Sequence, residues 1–248
     1  MPESWGLKLA EPLFEKATII GCGLIGSSLL RVARRNNLAR TLIAADSSPT
    51  VVSRVAELGL ADETTTDLAA AVSDAGLVIL CVPVGANEVV AKTIGAALSQ
   101  GAIVSDVGSV KGAVVGAVSP HIPSGVHLIP AHPVAGTEHS GPDAGFATLF
   151  LNRWCILTPP ANADASAVKK LSDFWTAAGS NVEVMSPEHH DLVLAITSHV
   201  PHLIAYNIVA IPVAALGFLT PTFSALAMGL SDVVLAINSV RLFVKKVA

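Results

Sequence analysis

Six polar side chains follow predicted strands or lie on a late predicted helix, and their types suit proton transfer and ligand binding. They are Asp106, Ser109, Lys111, His132, His199 and His202. Ligands of open α/β sheets bind outside the carboxyl ends of the strands. An imidazole titrates near neutral pH, so His132 is suited to act as a general base. We therefore expect these side chains to converge on one site.

A glycine-rich motif, Gly21-Cys22-Gly23-Leu24-Ile25-Gly26, follows the apolar run 17–20 and precedes a helical run. A G-x-G-x-x-G motif between a strand and a helix is typical of a dinucleotide site. The first glycine allows a tight turn, the second lets a pyrophosphate approach, and the third allows close helix packing. The phosphates would bind the free amides at the helix N-terminus. We expect cofactor contacts from Gly21, Gly23, Leu24, Ile25 and Gly26.

An acid stands at the end of the next predicted strand, 41–46. Asp46 follows Gly26 by 20 positions, where a carboxylate accepts hydrogen bonds from a ribose 2′-hydroxyl and repels a 2′-phosphate. This pattern predicts NAD rather than NADP. The alternative is a solvated acid at a strand end.

Further cofactor contacts are expected from the ends of the later strands. Val82, Pro83 and Asp106 follow or end such strands, and Pro83 is expected to pack beside the nicotinamide. No metal ligand set is predicted.

The elements that must position these residues alternate along the chain. Predicted strands occupy 76–84, 102–109, 126–133 and 154–159, and predicted helices occupy 51–59, 67–73, 86–99 and 110–118. The strands are continuous apolar runs, as in parallel sheets covered on both faces. A helix at 164–178, a strand at 181–185 and a helix from Pro187 complete the prediction.

The predicted fold class is therefore α/β. A Rossmann-type, doubly wound, mostly parallel sheet is followed by a short, atypical all-helical C-terminal segment. The expected domains are 1–185 and 186–248.

Composition narrows the function classes. The 248 residues carry a formal net charge of −4, and without a Lys/Arg stripe nucleic-acid binding is not expected. Cys22, Cys81 and Cys155 are expected to be buried, reduced thiols. No signal peptide is apparent, so we expect a cytoplasmic protein.

Five segments together resemble the prephenate/arogenate (cyclohexadienyl) dehydrogenase family of tyrosine biosynthesis. They are GCGLIGSS, DVGSVK, AHPVAGTEHSG, LFLNRWCILTP and HHDLVLAITSHVPHLIAY. The similarity covers about residues 15–206. It implies an NAD-dependent oxidative decarboxylation of prephenate or arogenate, and the sequence does not distinguish these two substrates.

The resemblance also implies roles for individual residues. His132 would be the general base that takes the hydroxyl proton while hydride goes to NAD. Ser109 would hydrogen-bond this histidine or the substrate hydroxyl, or alternatively cap a helix. His199 and His202 would contact the substrate. Lys111 is expected at the surface, and three further histidines, His139, His189 and His190, are expected to be surface or structural residues.

The C-terminal segment departs from the family pattern. Family members form homodimers through this region and carry an arginine that binds a substrate carboxylate; here the only arginine beyond His202 is Arg241. Residues 203–231 contain no charged residue. Residues 204–248 resemble the last transmembrane hairpin of heavy-metal P-type ATPases, which predicts a hybrid chain with membrane contact through 203–240. The alternatives are a divergent helical dimerisation domain and, for function, an inactive NAD-binding remnant.

Overall fold

The computed structural model describes residues 11–195. The chain divides into two compact units, Met1–Pro187 and Glu188–Ala248. His199, His202 and the expected membrane segment 203–240 lie outside the described residues. Within residues 11–195, none of the helices is both long enough and apolar enough to cross a membrane.

A six-stranded parallel sheet forms the centre of the first unit. Its strands are β1 (Phe14–Ile20), β2 (Ala39–Ala45), β3 (Glu63–Thr65), β4 (Leu77–Leu80), β5 (Ile103–Asp106) and β6 (His127–Leu128). Their order is β3-β2-β1-β4-β5-β6 and every pair is parallel. The predicted α/β Rossmann-type sheet is confirmed. β3 is too short and polar for the apolar-run criterion and was not predicted.

Helices connect the strands. They are α1 (Leu24–Arg35), α2 (Pro49–Glu57), α3 (Leu68–Val72), α4 (Asn87–Ile94), α5 (Lys111–Val118), α6 (Ala165–Ala177) and α7 (Pro187–Leu194). The side chains of Ile19 and Ile20 enter two different hydrophobic clusters, because successive strand residues point to opposite faces. One cluster includes Leu30 of α1 and Phe174 of α6, and the other includes Val114 of α5. The sheet is therefore covered on both faces, which explains its continuous apolar strands.

A second, three-stranded sheet corrects the predicted topology. It contains β7 (Ala131–Pro133), β8 (Trp154–Leu157) and β9 (Asn181–Val184), with β7 antiparallel and β9 parallel to β8. The single strand predicted over 126–133 is wrong, as is the assignment of β8 and β9 to the main sheet.

Pro130 explains the break between β6 and β7. The Ile129 N–H still donates to the Val104 carbonyl of the main sheet at 2.9 Å. Pro130 has no N–H to continue that ladder, and its carbonyl instead accepts the Thr158 N–H at 2.8 Å. The chain therefore leaves the parallel sheet two residues before His132.

Candidate active site

The carboxyl ends of three neighbouring strands lie at the same level of the sheet. Ile20 of β1 is in register with Leu80 of β4, and Leu80 is in register with Asp106 of β5. The glycine motif, the segment starting at Cys81 and the loop after Asp106 therefore begin side by side. This edge is where ligands of open α/β sheets bind.

The glycine motif has the geometry of a pyrophosphate cradle. Gly21 has a φ of +92°, and a Cβ there would lie 2.6 Å from the Cys81 carbonyl oxygen. A Cβ on Gly26 would collide with the Gly21 carbonyl oxygen, whereas a Cβ on Gly23 would meet no atom within 4 Å. The chain is thus tightly packed at Gly21 and Gly26 and open at Gly23, as a bound pyrophosphate requires.

The N-terminus of α1 faces this cradle without a side-chain cap. Gly23 is the N-cap residue, and Leu24 and Ile25, both partly exposed, form the first helical positions. The first amides of a helix have no intrahelical acceptor and favour an anion. The residues present therefore fit the phosphates of a dinucleotide.

Asp46 connects the end of β2 to the glycine motif. Its Oδ2 accepts the Cys22 N–H and its Oδ1 accepts the Ser48 N–H, both at 2.9 Å. The residue is half-buried. Each carboxylate oxygen has a second lone pair, so the side chain retains capacity for a ribose hydroxyl.

Val82 and Pro83 follow β4 next to the glycine motif. Val82 is half-buried and Pro83 is exposed, and a Cβ on Gly21 would lie 3.0 Å from Val82 Cγ1. Pro83 precedes a short 3-10 turn at Val84–Ala86. Their contacts with a nicotinamide stay a prediction.

A buried ion pair joins β5 to α5. The Lys111 Nζ lies 2.6 Å from Asp106 Oδ2 and 2.8 Å from Oδ1, and the two residues are 0% and 1% exposed. The expectation of a surface Lys111 is therefore wrong, because its ammonium is paired with a carboxylate inside the protein. Burial raises the pKa of the Asp106 carboxyl, while the Lys111 ammonium and the amides of Gly108 and Ala131 oppose that rise.

The predicted catalytic residues are Ser109, between Asp106 and Lys111 in sequence, and His132, directly after Ala131, which the ion pair contacts. His132, in β7, is 8% exposed, and Ser109 is exposed in the loop after β5. Val110, not Ser109, is the N-cap residue of α5, and no side chain caps that helix. The alternative that Ser109 is a helix cap is thus wrong, and the catalytic roles of both residues stay predictions.

The chain beyond His132 returns to α1. The Phe146 N–H donates to Ser28 Oγ at 3.1 Å, and a Cβ on Gly145 would lie 2.9 Å from the Ser28 amide nitrogen. Nearby, Arg54 of α2 contacts Asp143 through Nε and Nη2. These contacts with α1 and α2 were not predicted from the sequence.

The three cysteines carry free thiols. Burial raises the pKa of Cys22 to about 12, and the Asp46 carboxylate adds to the rise; burial also raises the pKa of Cys81 and of Cys155 well above the usual range. Cys22 and Cys155 are buried as predicted, and Cys81 is half-buried. These thiols are poor nucleophiles in the folded protein.

The histidines of the second unit differ in exposure. His190 of α7 is buried, with Nδ1 2.8 Å from Asp191 Oδ1, whereas His189 is exposed. In the first unit His139 is exposed beside Glu138. Between residues 11 and 195 no three His, Cys, Asp or Glu side chains cluster as metal ligands would.

The sheet order, the glycine cradle and Asp46 define a Rossmann-type nucleotide-binding protein. The family model for the prephenate dehydrogenase nucleotide-binding domain matches residues 29–184, and the model for the prephenate dehydrogenase dimerization domain matches residues 186–232. The chain belongs to the prephenate dehydrogenase family.

Individual relatives agree with this assignment. The chain is 44% identical over 197 residues to a cyclohexadienyl dehydrogenase from Zymomonas mobilis, covering 79% of this chain and 67% of the relative. It is 32% identical over 197 residues to a prephenate dehydrogenase from Bacillus subtilis, covering 78% and 53%. The chain thus spans between half and two thirds of these relatives' lengths.

Among solved structures, a similar one is the prephenate dehydrogenase from A. aeolicus in complex with hydroxyphenyl propionate and NAD+. The TM-score is 0.72 at 27% identity, covering 94% of this chain and 88% of that one.

The pump-like interpretation of the C-terminal segment gains no support. The dimerization-domain match continues to residue 232 and so includes most of the segment that we compared with a P-type ATPase hairpin. An uncharged apolar run is common to membrane spans and to buried helices, so it does not distinguish the two interpretations. The match favours the alternative of a divergent helical dimerisation domain.

Proposed function

We propose that this protein catalyses the NAD-dependent oxidative decarboxylation of prephenate or arogenate in tyrosine biosynthesis. The observation that carries the proposal is the placement of His132. It follows directly after the residue that the Asp106–Lys111 pair holds. Asp106 ends β5, which pairs with β4, and β4 pairs with β1, the strand that precedes the glycine cradle. Family membership and the NAD-bound structure of a relative support the same reaction.

The cofactor would bind along the edge formed by the strand ends. The open position at Gly23 and the uncapped first turn of α1 would hold the pyrophosphate, and Asp46 would accept a ribose hydroxyl. Val82, Pro83 and the segment after Asp106 would line the nicotinamide end. Bound NAD would supply the acceptor for the hydride.

His132 and Ser109 would manage the proton. The His132 imidazole takes the proton of the substrate hydroxyl while the carbon that bears this hydroxyl loses a hydride to NAD. A carbonyl therefore forms at that carbon. The bond between the ring and its carboxylate then breaks, carbon dioxide leaves, and the electron pair enters the ring. The oxygen regains a proton as the ring becomes an aromatic phenol. Ser109 would orient the imidazole or the hydroxyl through a hydrogen bond.

His199 and His202 complete the proposed substrate contacts. The match of residues 186–232 to a dimerization domain supports a homodimer of this chain. We retain 1–185 and 186–248 as the proposed domains.

A second candidate is an NAD-binding protein without this activity. The observation that favours it is the lack, after His202, of the family's segment with a carboxylate-binding arginine; only Arg241 follows. A bidentate guanidinium contact is difficult to replace.

The deciding experiment is a steady-state assay of the full chain that follows NADH formation with prephenate and with arogenate. His132→Asn is expected to lower kcat by about 10²- to 10⁴-fold, the usual contribution of a general base, with an unchanged Kd for NAD by calorimetry. Leu30→Ala, a core change in the middle of α1, serves as the control for general destabilisation. Intact NAD binding with no turnover of either substrate would instead establish the second candidate.

A further inference from the structure

The Asp106–Lys111 ion pair has contacts that stability alone does not require. A buried ion pair is expensive to desolvate, and apolar residues of similar volume often stabilise a protein as well or better. This pair lies at the carboxyl end of β5, where ligands of the fold bind. Its hydrogen bonds show what it holds.

The pair binds both backbone polar groups of one residue, Ala131. Lys111 Nζ donates to the Ala131 carbonyl oxygen at 2.6 Å, and Asp106 Oδ1 accepts the Ala131 N–H at 3.2 Å. Ala131 directly precedes His132. The position and direction of the backbone that carries the imidazole are therefore tied to β5 and α5.

The same carboxylate also holds the loop that carries the serine. Asp106 Oδ2 accepts the Gly108 N–H at 2.7 Å, and Gly108 directly precedes Ser109. A Cβ on Gly108 would lie 3.0 Å from this oxygen, so the loop packs directly against the carboxylate. One ion pair thus anchors the residue before Ser109 and the residue before His132.

We propose that Asp106 and Lys111 are positioning residues that set Ser109 and His132 in their catalytic arrangement, an inference that rests on the proposed function. An ammonium has three N–H donors, and those of Lys111 face the two Asp106 oxygens and the Ala131 carbonyl. Lys111 is also fully buried. Its role in this proposal is to hold the backbone at Ala131.

The test replaces the pair by neutral residues of similar size in the full chain, as Asp106→Asn/Lys111→Met. Removing both charges avoids a lone buried charge. We expect a folded protein that still binds NAD, because the glycine cradle and Asp46 are intact and the Asp106 oxygens are bonded within the protein. We expect kcat to fall about 10- to 100-fold, the scale of a small misplacement of reacting groups, with KM changed less.

Val118→Ala is the matched control, because Val118 is fully buried at the other end of α5. If this control lowers kcat as much as the double variant at a similar loss of melting temperature, the pair is merely structural and the proposal is overturned. Should the double variant not fold, Asp106→Asn/Lys111→Gln, which also leaves no lone buried charge, is assayed in its place.

A second readout does not depend on turnover. The NMR signals of the His132 ring are identified in a protein with isotope-labelled histidine, because they are missing from the spectrum of His132→Asn. The pair variant, with NAD bound, is expected to shift these signals and their titration, while Val118→Ala leaves them in place. Unchanged His132 signals in a folded variant would overturn the positioning role. A wild type that turns over neither substrate would refute the proposed function, and the His132 signals would still decide on the positioning.

Discussion

Asp46 and Asp106 occupy similar places in the sheet and have different surroundings. Each stands where a parallel strand ends, and each accepts two backbone N–H groups. Asp46 is half-buried and, within residues 11–195, forms no ion pair, whereas Asp106 is buried and paired with Lys111. The first carboxylate keeps lone pairs for a ligand. Both oxygens of the Asp106 carboxylate accept hydrogen bonds from the protein, and these bonds hold the chain in place.

The largest effect on stability is expected at the buried Asp106–Lys111 pair. Lys111→Met leaves the Asp106 carboxylate unpaired, and we expect the free energy of unfolding to fall by about 3–5 kcal/mol. Asp46→Ala, which removes a partly exposed acceptor, should cost about 0.5–1.5 kcal/mol. Urea unfolding of both variants measures the difference. Equal losses would contradict the contrast between the two sites.

The pH dependence sharpens the same comparison. In Lys111→Met the burial that raises the pKa of Asp106 is no longer opposed by the ammonium, so folding favours the protonated carboxyl. A group with a raised pKa in the folded state contributes stability at low pH that is lost as the pH rises through that pKa. Lys111→Met should therefore lose stability as the pH rises above the usual titration range of a carboxyl group, and Asp106→Asn/Lys111→Met should not.

The glycine cradle offers a pair of matched substitutions. Gly26→Ala places a Cβ against the Gly21 carbonyl oxygen, and such overpacking costs about 1–3 kcal/mol of stability. Gly23→Ala meets no protein atom within 4 Å and should fold normally but bind NAD weakly, because the Cβ enters the space for the pyrophosphate. Thermal unfolding and calorimetry separate the two effects. Normal NAD binding by Gly23→Ala would place the phosphates elsewhere.

Changes at the half-buried Asp46 are expected to alter the preference between NAD and NADP. Asp46→Ala should weaken NAD binding about tenfold, equal to about 1.4 kcal/mol, and reduce the discrimination against NADP. Asp46→Asn keeps one acceptor oxygen, for either the Cys22 or the Ser48 amide, and loses the charge, so it should relieve the repulsion of a 2′-phosphate with a smaller loss of NAD binding than Asp46→Ala. Competition titrations of both cofactors measure this. An unchanged ratio of the two Kd values would mean that Asp46 is only a loop anchor.

The smallest effect concerns the thiol behind the cradle. Because burial raises the pKa of Cys22 to about 12, a thiol reagent at pH 8 should label Cys22 only as fast as the protein opens. A neutral thiol favoured by the fold contributes stability below its unfolded pKa and loses it as the pH rises towards 12. Mass spectrometry of labelling with and without urea tests the protection. Rapid labelling in the folded state would show that the cradle opens readily.

Local pattern was sufficient for the nucleotide end of the site. The strand, the glycine spacing and the helix are contiguous in the chain, so their geometry depends on neighbours within a few residues. Asp46 was identifiable because the βαβ unit spaces the two strand ends regularly. The path of residues 126–133 was not predictable in the same way. The chain passes from one sheet to the other at Pro130, and this depends on which sheet offers a hydrogen-bond partner for the backbone.

The sequence by itself determined the Rossmann-type sheet and the cradle at Gly21–Gly26. It also supplied Asp46 as the proposed ribose acceptor and His132 as the proposed general base. Only the tertiary structure decided that Lys111 is buried and that Asp106 holds Gly108 and Ala131. A lysine is usually exposed because its charge is costly to bury without a partner. Its partners here are brought together by packing between β5, α5 and β7, and no local pattern in the chain encodes that contact.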